Sequence, residues 1–422
     1  MGKIEGECIA SRRLGPQSTL DSNEDAELIN EKEVEMPIER EKTLSVHPTE
    51  IRTLNLPVIG GLVNCESGIL DYVATRARAD NTCLNEVVEV IQNLQHPVNP
   101  HWDATRNTLY FADTNSSTVH LYHPETQTHN QTQIFPIGDS IGFIIPVQNQ
   151  GDSFLVAHGL QLCILYWDGS DSANVSIDVI ATAYQKEKDF HFIGGKVDRH
   201  GQLYVGSQAP KNILRNIEKP NGVIYSYKPF GSLKVYLTGL GLVTGLGFEP
   251  HGSGLYITDS IKNTVDRFDK DAKPDFSLSN QQTILNHNIN DMDGKVYGLT
   301  VDANGKLWIA LYDGGQVLQF DPVTKEIMKK FDVPSLKVTD LVFGGANLNE
   351  LYITTAGDCV AKGNGTSGSL LRMTGLGDVQ GLAGRPLGTF GIKVCPKPEK
   401  LSLTGVSPCS LSQVESLSTG EC

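Results

Sequence analysis

The sequence predicts an all-β fold, a six-bladed β-propeller with irregular N- and C-terminal extensions, from three observations. Six apolar–aromatic pairs recur at intervals of 45, 49, 52, 52 and 44 residues, and strand-rich repeats of about this length are typical of propeller blades. Each pair stands in a strand–turn–strand pattern in which apolar and polar positions alternate. No amphipathic helices of the length needed to connect parallel strands lie between the repeats. The pairs are Leu109-Tyr110, Phe154-Leu155, Leu203-Tyr204, Leu255-Tyr256, Leu307-Trp308 and Leu351-Tyr352.

The glycine content agrees with a fold that has many turns. The chain has 42 glycines among 422 residues, and they do not recur at every third position, which excludes a collagen-like fold. Four of them, Gly252, Gly305, Gly314 and Gly315, fall between predicted strands. We expect these four glycines in turns that require a positive φ angle.

The chain divides into three parts by composition. Residues 1–83 are predicted to form an acidic, disordered extension, because nine acidic and three basic residues lie between Asp21 and Lys42 without a sustained apolar pattern. Residues 84–394 hold the repeats and are predicted to form the propeller. Residues 395–422 are rich in Ser, Leu and Pro and are predicted to be a flexible tail.

Charge and composition exclude several classes of protein. The net charge of −14 argues against nucleic acid as the main partner. No run of eighteen apolar residues is present, so no membrane partner is expected. The N-terminus lacks the apolar stretch of a signal peptide, which favours a soluble, cytoplasmic protein, with secretion as the alternative. Eight cysteines occur without a CxxC pair, which argues against a ribbon-type zinc site.

The repeats resemble the regucalcin (senescence marker protein), gluconolactonase and luciferin-regenerating enzyme family over residues 88–387. The segments that carry the resemblance include PHWD at 100–103, GKVDRHGQLYVGS at 195–207 and GLTVDANGKLWIALYDGG at 298–315. They occur in the order and spacing of the family, and they look most similar to its arthropod luciferin-regenerating enzyme branch.

The resemblance implies a chemistry, the hydrolysis of a sugar lactone or a related ester. In the family, a Glu, an Asn and an Asp hold one divalent metal, calcium or zinc among others, at the mouth of the central channel. The metal acts as a Lewis acid and activates water, and the Asp also serves as the base. A second Asn and an Arg bind substrate.

This sequence departs from the family at each of these positions. Val98 stands at the position of the ligand Glu, Thr244 at that of the ligand Asn, and Tyr297 at that of the Asp that is both ligand and base. His191 and Ile193 replace the substrate-binding Arg and Asn. We therefore expect no catalytic base, no metal ligands and no cofactor. The chain is predicted to be a non-catalytic binder of a small, apolar molecule or of a protein. The residues predicted to line its pocket are Val98, His101, His191, Ile193, Thr244 and Tyr297.

Three alternatives stay open at this point. Relocated ligands could restore a calcium- or zinc-dependent lactonase or esterase; the candidates are His101, Asp189, His191 and Asp293. The mouth of the channel could be filled by its own side chains, or the two extensions could make the functional contacts. Asp113 and Asp259 are interpreted as turn residues that accept backbone hydrogen bonds and not as catalysts. The sequence predicts no oligomeric state.

Overall fold

The structure is a computed structural model that describes residues 85–388, apart from several short internal segments. The predicted extensions 1–83 and 395–422 lie outside the described residues. The secondary structure of the described part is almost entirely β, with one turn of 3₁₀ helix at His287–Ile289. None of its helical segments is long and apolar enough to cross a membrane. The internal residues that are not described are 138, 172–174, 184–189, 209–221, 229–230, 271–277, 290–292 and 358–367.

The described strands form six four-stranded antiparallel sheets, which confirms the predicted six-bladed propeller. The first strand, β1 (Glu86–Ile91), belongs to the last blade. Blade 1 contains β2 (Pro97–Asp103), β3 (Thr108–Asp113), β4 (Thr118–His123) and β5 (Thr128–Gln133). Blade 2 contains β6 (Ile141–Pro146), β7 (Ser153–His158), β8 (Gln161–Tyr166) and β9 (Ser176–Thr182). Blade 3 contains β10 (His191–Val197), β11 (Leu203–Gln208), β12 (Gly222–Tyr227) and β13 (Lys234–Leu240).

The other three blades repeat this arrangement. Blade 4 contains β14 (Val243–Phe248), β15 (Gly254–Asp259), β16 (Thr264–Lys270) and β17 (Leu278–Asn286). Blade 5 contains β18 (Lys295–Val301), β19 (Leu307–Tyr312), β20 (Gln316–Asp321) and β21 (Glu326–Asp332). Blade 6 contains β22 (Val338–Gly344), β23 (Glu350–Thr355) and β24 (Ser369–Thr374), and β1 pairs with β24 as its fourth strand. The first described strand therefore closes the ring.

The repeated apolar–aromatic pairs form the core between the blades. All six predicted pairs lie in the second strand of a blade, and all twelve side chains are buried. Neighbouring residues of a strand point to opposite faces of the sheet, so burial of both members requires both faces to be covered. Each of the six hydrophobic clusters joins residues of two adjacent blades, as at the stacked rings of Trp102 in blade 1 and Tyr352 in blade 6.

The turns confirm most of the predictions made for them. Gly252, Gly305 and Gly315 have φ angles of 73°, 77° and 61°. The prediction of a positive φ angle is wrong for Gly314, which is needed for close packing instead: a Cβ atom there would lie 2.7 Å from the carbonyl oxygen of Asp293.

The turn carboxylates also have the predicted role. Asp113 accepts hydrogen bonds from the backbone of Gln95 and His96 at 2.7 and 2.8 Å. Asp259 accepts them from Gly241 and Leu242 at 2.7 and 3.2 Å. These two acids fix turns in two different blades, and their oxygens are already engaged.

After its last strand the chain crosses one end of the propeller, in a stretch that we call the closing segment (residues 380–388). Gly381 donates its backbone N–H to Leu348 of the loop after β22 at 2.7 Å, and Gly384 donates to Trp102 of β2 at 3.1 Å. Leu387 donates to Pro146 of β6 at 2.9 Å. Three blades are thus tied together across the axis.

Candidate functional site

The first strand of each blade faces the central axis, and these six strands contact one another in a ring. Two cavities lie along the ring. One has a volume of about 570 Å³ and lies at the N-terminal ends of these strands, where Val98, Ile141, Ile193, Thr244 and Tyr297 line it; we call it the wide cavity. The other has a volume of about 260 Å³, is lined by residues nearer the C-terminal ends of the strands and by the closing segment, and is called the narrow cavity.

Every one of the six inner strands is irregular beside the wide cavity. The pairing of the first two strands of each blade shifts its register within the first half of the inner strand. Such bulges change the direction of a side chain without ending the sheet. In β2 the shift lies between Val98 and His101 and includes Asn99, whose φ angle is 50°. The bulges explain why consecutive residues such as Val98 and Asn99 both line the cavity.

Five of the six residues that the sequence predicts for the pocket line the wide cavity together. They are Val98, His191, Ile193, Thr244 and Tyr297. The structure places His101 elsewhere, because it lies beyond the bulge of β2 and lines the narrow cavity. Of the proposed substitute ligands, Asp189 lies outside the described residues. Asp293 lines neither cavity, and its backbone carbonyl lies 3.3 Å from Nε2 of His287.

The hydroxyl group of Thr244 is hydrogen-bonded within the protein. Its Oγ1 lies 2.6 Å from the hydroxyl of Ser260 and 3.1 Å from that of Thr258, and it donates to the carbonyl of Tyr297 at 3.0 Å. Ser260 in turn donates to the carbonyl of Val296 at 2.6 Å. This cluster joins blades 4 and 5, and the hydroxyl protons of Thr244 and Ser260 are used in these contacts.

The amide of Asn99 has a similar role on the opposite wall. Its Nδ2 donates to the carbonyl oxygens of Gly142 at 2.7 Å and of Ile193. The side chain therefore joins blades 1, 2 and 3. Next to it, the hydroxyl of Thr339 donates to the carbonyl of Pro97 at 2.6 Å and joins blade 6 to blade 1.

A buried carboxylate that the sequence analysis missed also lines the wide cavity. Asp340 is 3% exposed and lies on β22. Its carboxylate occupies the space that a side chain at Gly298 would need, since a Cβ atom there would lie 2.2 Å from Oδ1. The only signal in the sequence is an acid inside the apolar strand segment VTDLVFG.

Burial and a lysine determine the charge of Asp340. Burial raises the pKa of its carboxyl to about 6, against the opposing effects of the nearby Lys196 and of backbone N–H groups, among them that of Leu341 at 2.8 Å. Lys196 lies between the cavities and lines the narrow one. Burial lowers the pKa of its amine, and Asp340 opposes that shift.

We predict that Asp340 makes the stability of the protein depend on pH. Its pKa in the folded state lies above the ordinary value, so its protonated form favours folding. This contribution is complete below about pH 4 and is lost as the pH rises through about 6. Relative to Asp340→Asn, the native protein should lose up to roughly 3 kcal/mol of unfolding free energy between pH 4 and 8. Lys196 and Tyr297 are the ionisable groups that interact with Asp340, and both are present in both proteins.

Urea unfolding at several pH values measures this difference. Asp313→Asn is the matched control, because Asp313 lines the same cavity with an exposed side chain. A constant difference between the native protein and Asp340→Asn across the pH range would contradict the prediction.

Tyr297 gives the wide cavity an aromatic wall. Its ring stacks on that of Tyr312, with centroids 5.0 Å apart and an angle of 29° between the planes. Burial raises the pKa of its phenol, and Tyr312 and Asp340 add to this shift. The phenol is therefore neutral at pH 7 and lacks the negative charge of the Asp that the resemblance implies at this position.

The donors of the wide cavity do not fit the metal that the resemblance implies. Calcium takes six to eight oxygen ligands in typical sites, and zinc is held by several nitrogen, sulfur or carboxylate ligands. Val98 has no donor atom, the hydroxyl of Thr244 is engaged, and the phenol of Tyr297 is neutral. Asp340 lies against backbone N–H groups and Lys196. Within the described ranges, no three His, Cys, Asp or Glu side chains are grouped so that they could hold a metal ion.

Comparison with known protein sequences agrees with the propeller. Residues 98–357 match a family described as "SMP-30/Gluconolactonase/LRE-like region". Regucalcin from Homo sapiens is 29% identical over 297 residues, which is 69% of this chain and 94% of that protein. Regucalcin from Xenopus laevis is 28% identical over 289 residues, which is 67% of this chain and 92% of that protein.

Solved structures are similar over the same part of the chain. A luciferin-regenerating enzyme is 29% identical with a TM-score of 0.67, and the match covers 72% of this chain and all of that one. A calcium-binding regucalcin from Agrobacterium tumefaciens is 17% identical with a TM-score of 0.61, covering 71% of this chain and 96% of the other. The second similarity, at this low identity, concerns the fold alone.

Proposed function

We propose that this chain, which belongs to the SMP-30/gluconolactonase/LRE-like family, is a non-catalytic member that binds a small, apolar molecule in the wide cavity. One observation carries the proposal. Val98, Thr244 and Tyr297, at the three positions where the family resemblance implies metal ligands, line one cavity and bring no charged oxygen to it.

The lining of the wide cavity supports a small apolar ligand. Ile141, Phe192, Ile193 and the Tyr297–Tyr312 stack provide apolar and aromatic surface. Asn99, Thr244, Ser260 and Thr339 of the wall donate their hydrogen bonds to backbone carbonyls of the protein, so these four offer a sugar few donors. A concave pocket with apolar walls and few polar groups is typical of small-molecule sites. It suits a compact ligand better than the surface of a protein.

A metal-dependent lactone or ester hydrolase is the second candidate. The observation that favours it is that Asp340 and His191 line the same cavity. With a pKa of about 6, Asp340 has a basic form at neutral pH that could draw a proton from water. The two candidates differ in what they predict for turnover.

We expect the neutral fluorescent probe N-phenyl-1-naphthylamine to bind the purified protein in the wide cavity, with increased emission. Tyr297→Ala removes the aromatic wall and should weaken binding at least about tenfold, because aromatic burial contributes roughly 1.5 to 3 kcal/mol. Tyr166→Ala is the matched control, since Tyr166 is also partly buried but lies on β8, away from the cavity.

Hydrolysis of gluconolactone is measured in the same samples with added calcium, zinc or manganese. The proposal predicts no metal-dependent hydrolysis above the background rate. Metal-stimulated hydrolysis that Asp340→Asn abolishes would establish the second candidate and overturn the first. Equal probe binding by the native protein and Tyr297→Ala would also overturn the first.

A further inference from the structure

The narrow cavity lies at the other end of the channel and is separate from the proposed binding site. The second halves of the inner strands line it, with His101, Lys196, Leu246, Thr300 and Val342. The closing segment covers it and contributes residues 382–386. Backbone hydrogen bonds at Gly381, Gly384 and Leu387 hold this segment, so the cavity has a fixed wall on that side.

The acids that line the narrow cavity are neutralised from outside it. Asp198 forms an ion pair with Lys270, and both side chains are 2% exposed. Glu249 pairs with Arg267 at 2.7 Å and accepts a hydrogen bond from Ser253 at 2.6 Å. Neither Lys270 nor Arg267 lines the cavity. Both carboxylates are thus paired with a cation, and Arg267 also pairs with Asp269.

The cations of the narrow cavity are compensated less completely than its acids, since the carboxylate near Lys196 is that of Asp340, which lines the wide cavity. Within the described part of the chain, Lys196 and Arg385 form no ion pair and no side-chain hydrogen bond. Arg199 also lines the cavity and donates to the ring of His200 at 3.1 Å and to the carbonyl of His251 at 2.6 Å. Arg199 and Arg385 are exposed, whereas Lys196 is partly buried. An anion bound beside Lys196 and Arg385 would gain a favourable charge interaction with both.

The remaining walls are apolar. They consist of Leu246, Phe248, Pro250, Val301, Val342, Leu382 and Pro386. An inorganic anion would leave these walls without contacts. A ligand with a charged end and an apolar body would contact both the cations and the apolar walls of the cavity.

We propose that the narrow cavity is a second binding site, for a small organic carboxylate whose anionic group lies between Lys196 and Arg385 and whose apolar body contacts the walls around Leu246 and Val342. His101 is the neutral polar group of the site, because burial and the neighbouring Lys196 lower its pKa to about 3. Lys196 borders this site and faces Asp340 of the wide cavity on its other side.

Calorimetric titration of the full chain with benzoate at neutral pH tests the proposal. Benzoate should bind with one site per chain, and benzamide, its neutral analogue, should bind at least tenfold more weakly. Lys196→Met should weaken benzoate binding roughly tenfold or more, since hydrogen bonds to charged groups contribute about 1.5 to 3 kcal/mol. Lys329→Met is the matched control, because Lys329 is an exposed lysine of β21 that lines neither cavity, and it should leave benzoate affinity unchanged.

A second measurement does not depend on the folding of a variant. Acetic anhydride labels lysines of the native protein, and peptide mass spectrometry gives the rate at each one. Benzoate at about ten times its dissociation constant should slow the labelling of Lys196 roughly tenfold by occupancy alone and leave Lys329 unaffected.

Several results would overturn the proposal. They are equal binding of benzoate and benzamide, labelling of Lys196 at the same rate with and without benzoate, and inorganic phosphate binding as tightly as benzoate. The last result would mean that the cavity recognises charge without an apolar body. None of these outcomes measures binding in the wide cavity, so they leave the proposed function to be tested by its own experiment.

Discussion

The triple variant Val98→Glu, Thr244→Asn and Tyr297→Asp is expected to bind calcium or zinc, which the native protein should not do. These substitutions supply the Glu, Asn and Asp that the family resemblance implies at three positions of one cavity. Without metal, the variant should be less stable than the native protein. Val98 is 8% exposed, and a carboxylate there would be buried near Asp340 and near the carboxylate introduced at position 297, without a compensating charge.

Metal should restore this loss of stability. A ligand that binds only the folded state at a hundred times its dissociation constant adds about 2.7 kcal/mol to the unfolding free energy. The expected result is therefore a large metal-dependent rise in the melting temperature of the variant, and none in the native protein. Differential scanning calorimetry with calcium, zinc or EDTA measures it.

The matched control for the triple variant is Val98→Gln, Thr244→Asn and Tyr297→Asn. It has side chains of nearly the same shape without the two charges, and metal should not stabilise it. If metal stabilises the native protein as much as the triple variant, then the wide cavity already holds a metal site, and the proposal of a non-catalytic binder fails.

Lys270→Met is expected to be one of the most destabilising single substitutions in the propeller. The ammonium of Lys270 forms a buried ion pair with Asp198 and lies over the rings of Tyr204 and Phe248 at 5.1 and 5.3 Å. Removing one partner of such a pair leaves a buried charge, which typically costs about 3 to 5 kcal/mol. Urea unfolding followed by circular dichroism measures the loss.

The chain contains a close match that serves as the control. Lys306 pairs with Asp321 at 2.6 Å, but the two side chains are 25% and 13% exposed. Because water screens this pair, Lys306→Met should cost only about 0 to 1 kcal/mol. The double variant Lys270→Met with Asp198→Asn should recover part of the stability, because it removes the uncompensated charge. Similar costs for the two lysine substitutions would contradict this prediction.

The fold could be predicted from the sequence because its signal is repeated. Pairs such as Leu203-Tyr204 and Leu307-Trp308 lie in the second strand of each blade. Each of the six interfaces between blades therefore buries the same kind of apolar and aromatic side chains. The family resemblance is also confirmed. Gly314 shows the limit of this reasoning, since a glycine can be needed for close packing as well as for a positive φ angle.

The site was predicted less completely, and the reasons are local. The sequence predicts that His101 lines the same pocket as Val98. The bulge of β2 lies between these two residues, and the side chain of His101 lines the narrow cavity instead. Bulges of this kind depend on the pairing with the next strand and leave no reliable pattern in a single sequence. Asp340 was missed because only the neighbouring Gly298 of another blade reveals the space for its carboxylate.

Ring closure by β1 has a consequence for how the protein folds. Glu89 of β1 and Ser369 of β24 form a hydrogen bond across 280 positions of the sequence. During synthesis, β1 therefore cannot pair with β24 until the sixth blade has emerged from the ribosome. Until then both sheet edges at the unfinished seam can pair with other chains. Closing so long a loop is also slow. We expect aggregation during refolding to begin at this seam and to be suppressed by an added peptide with the sequence of residues 86–91.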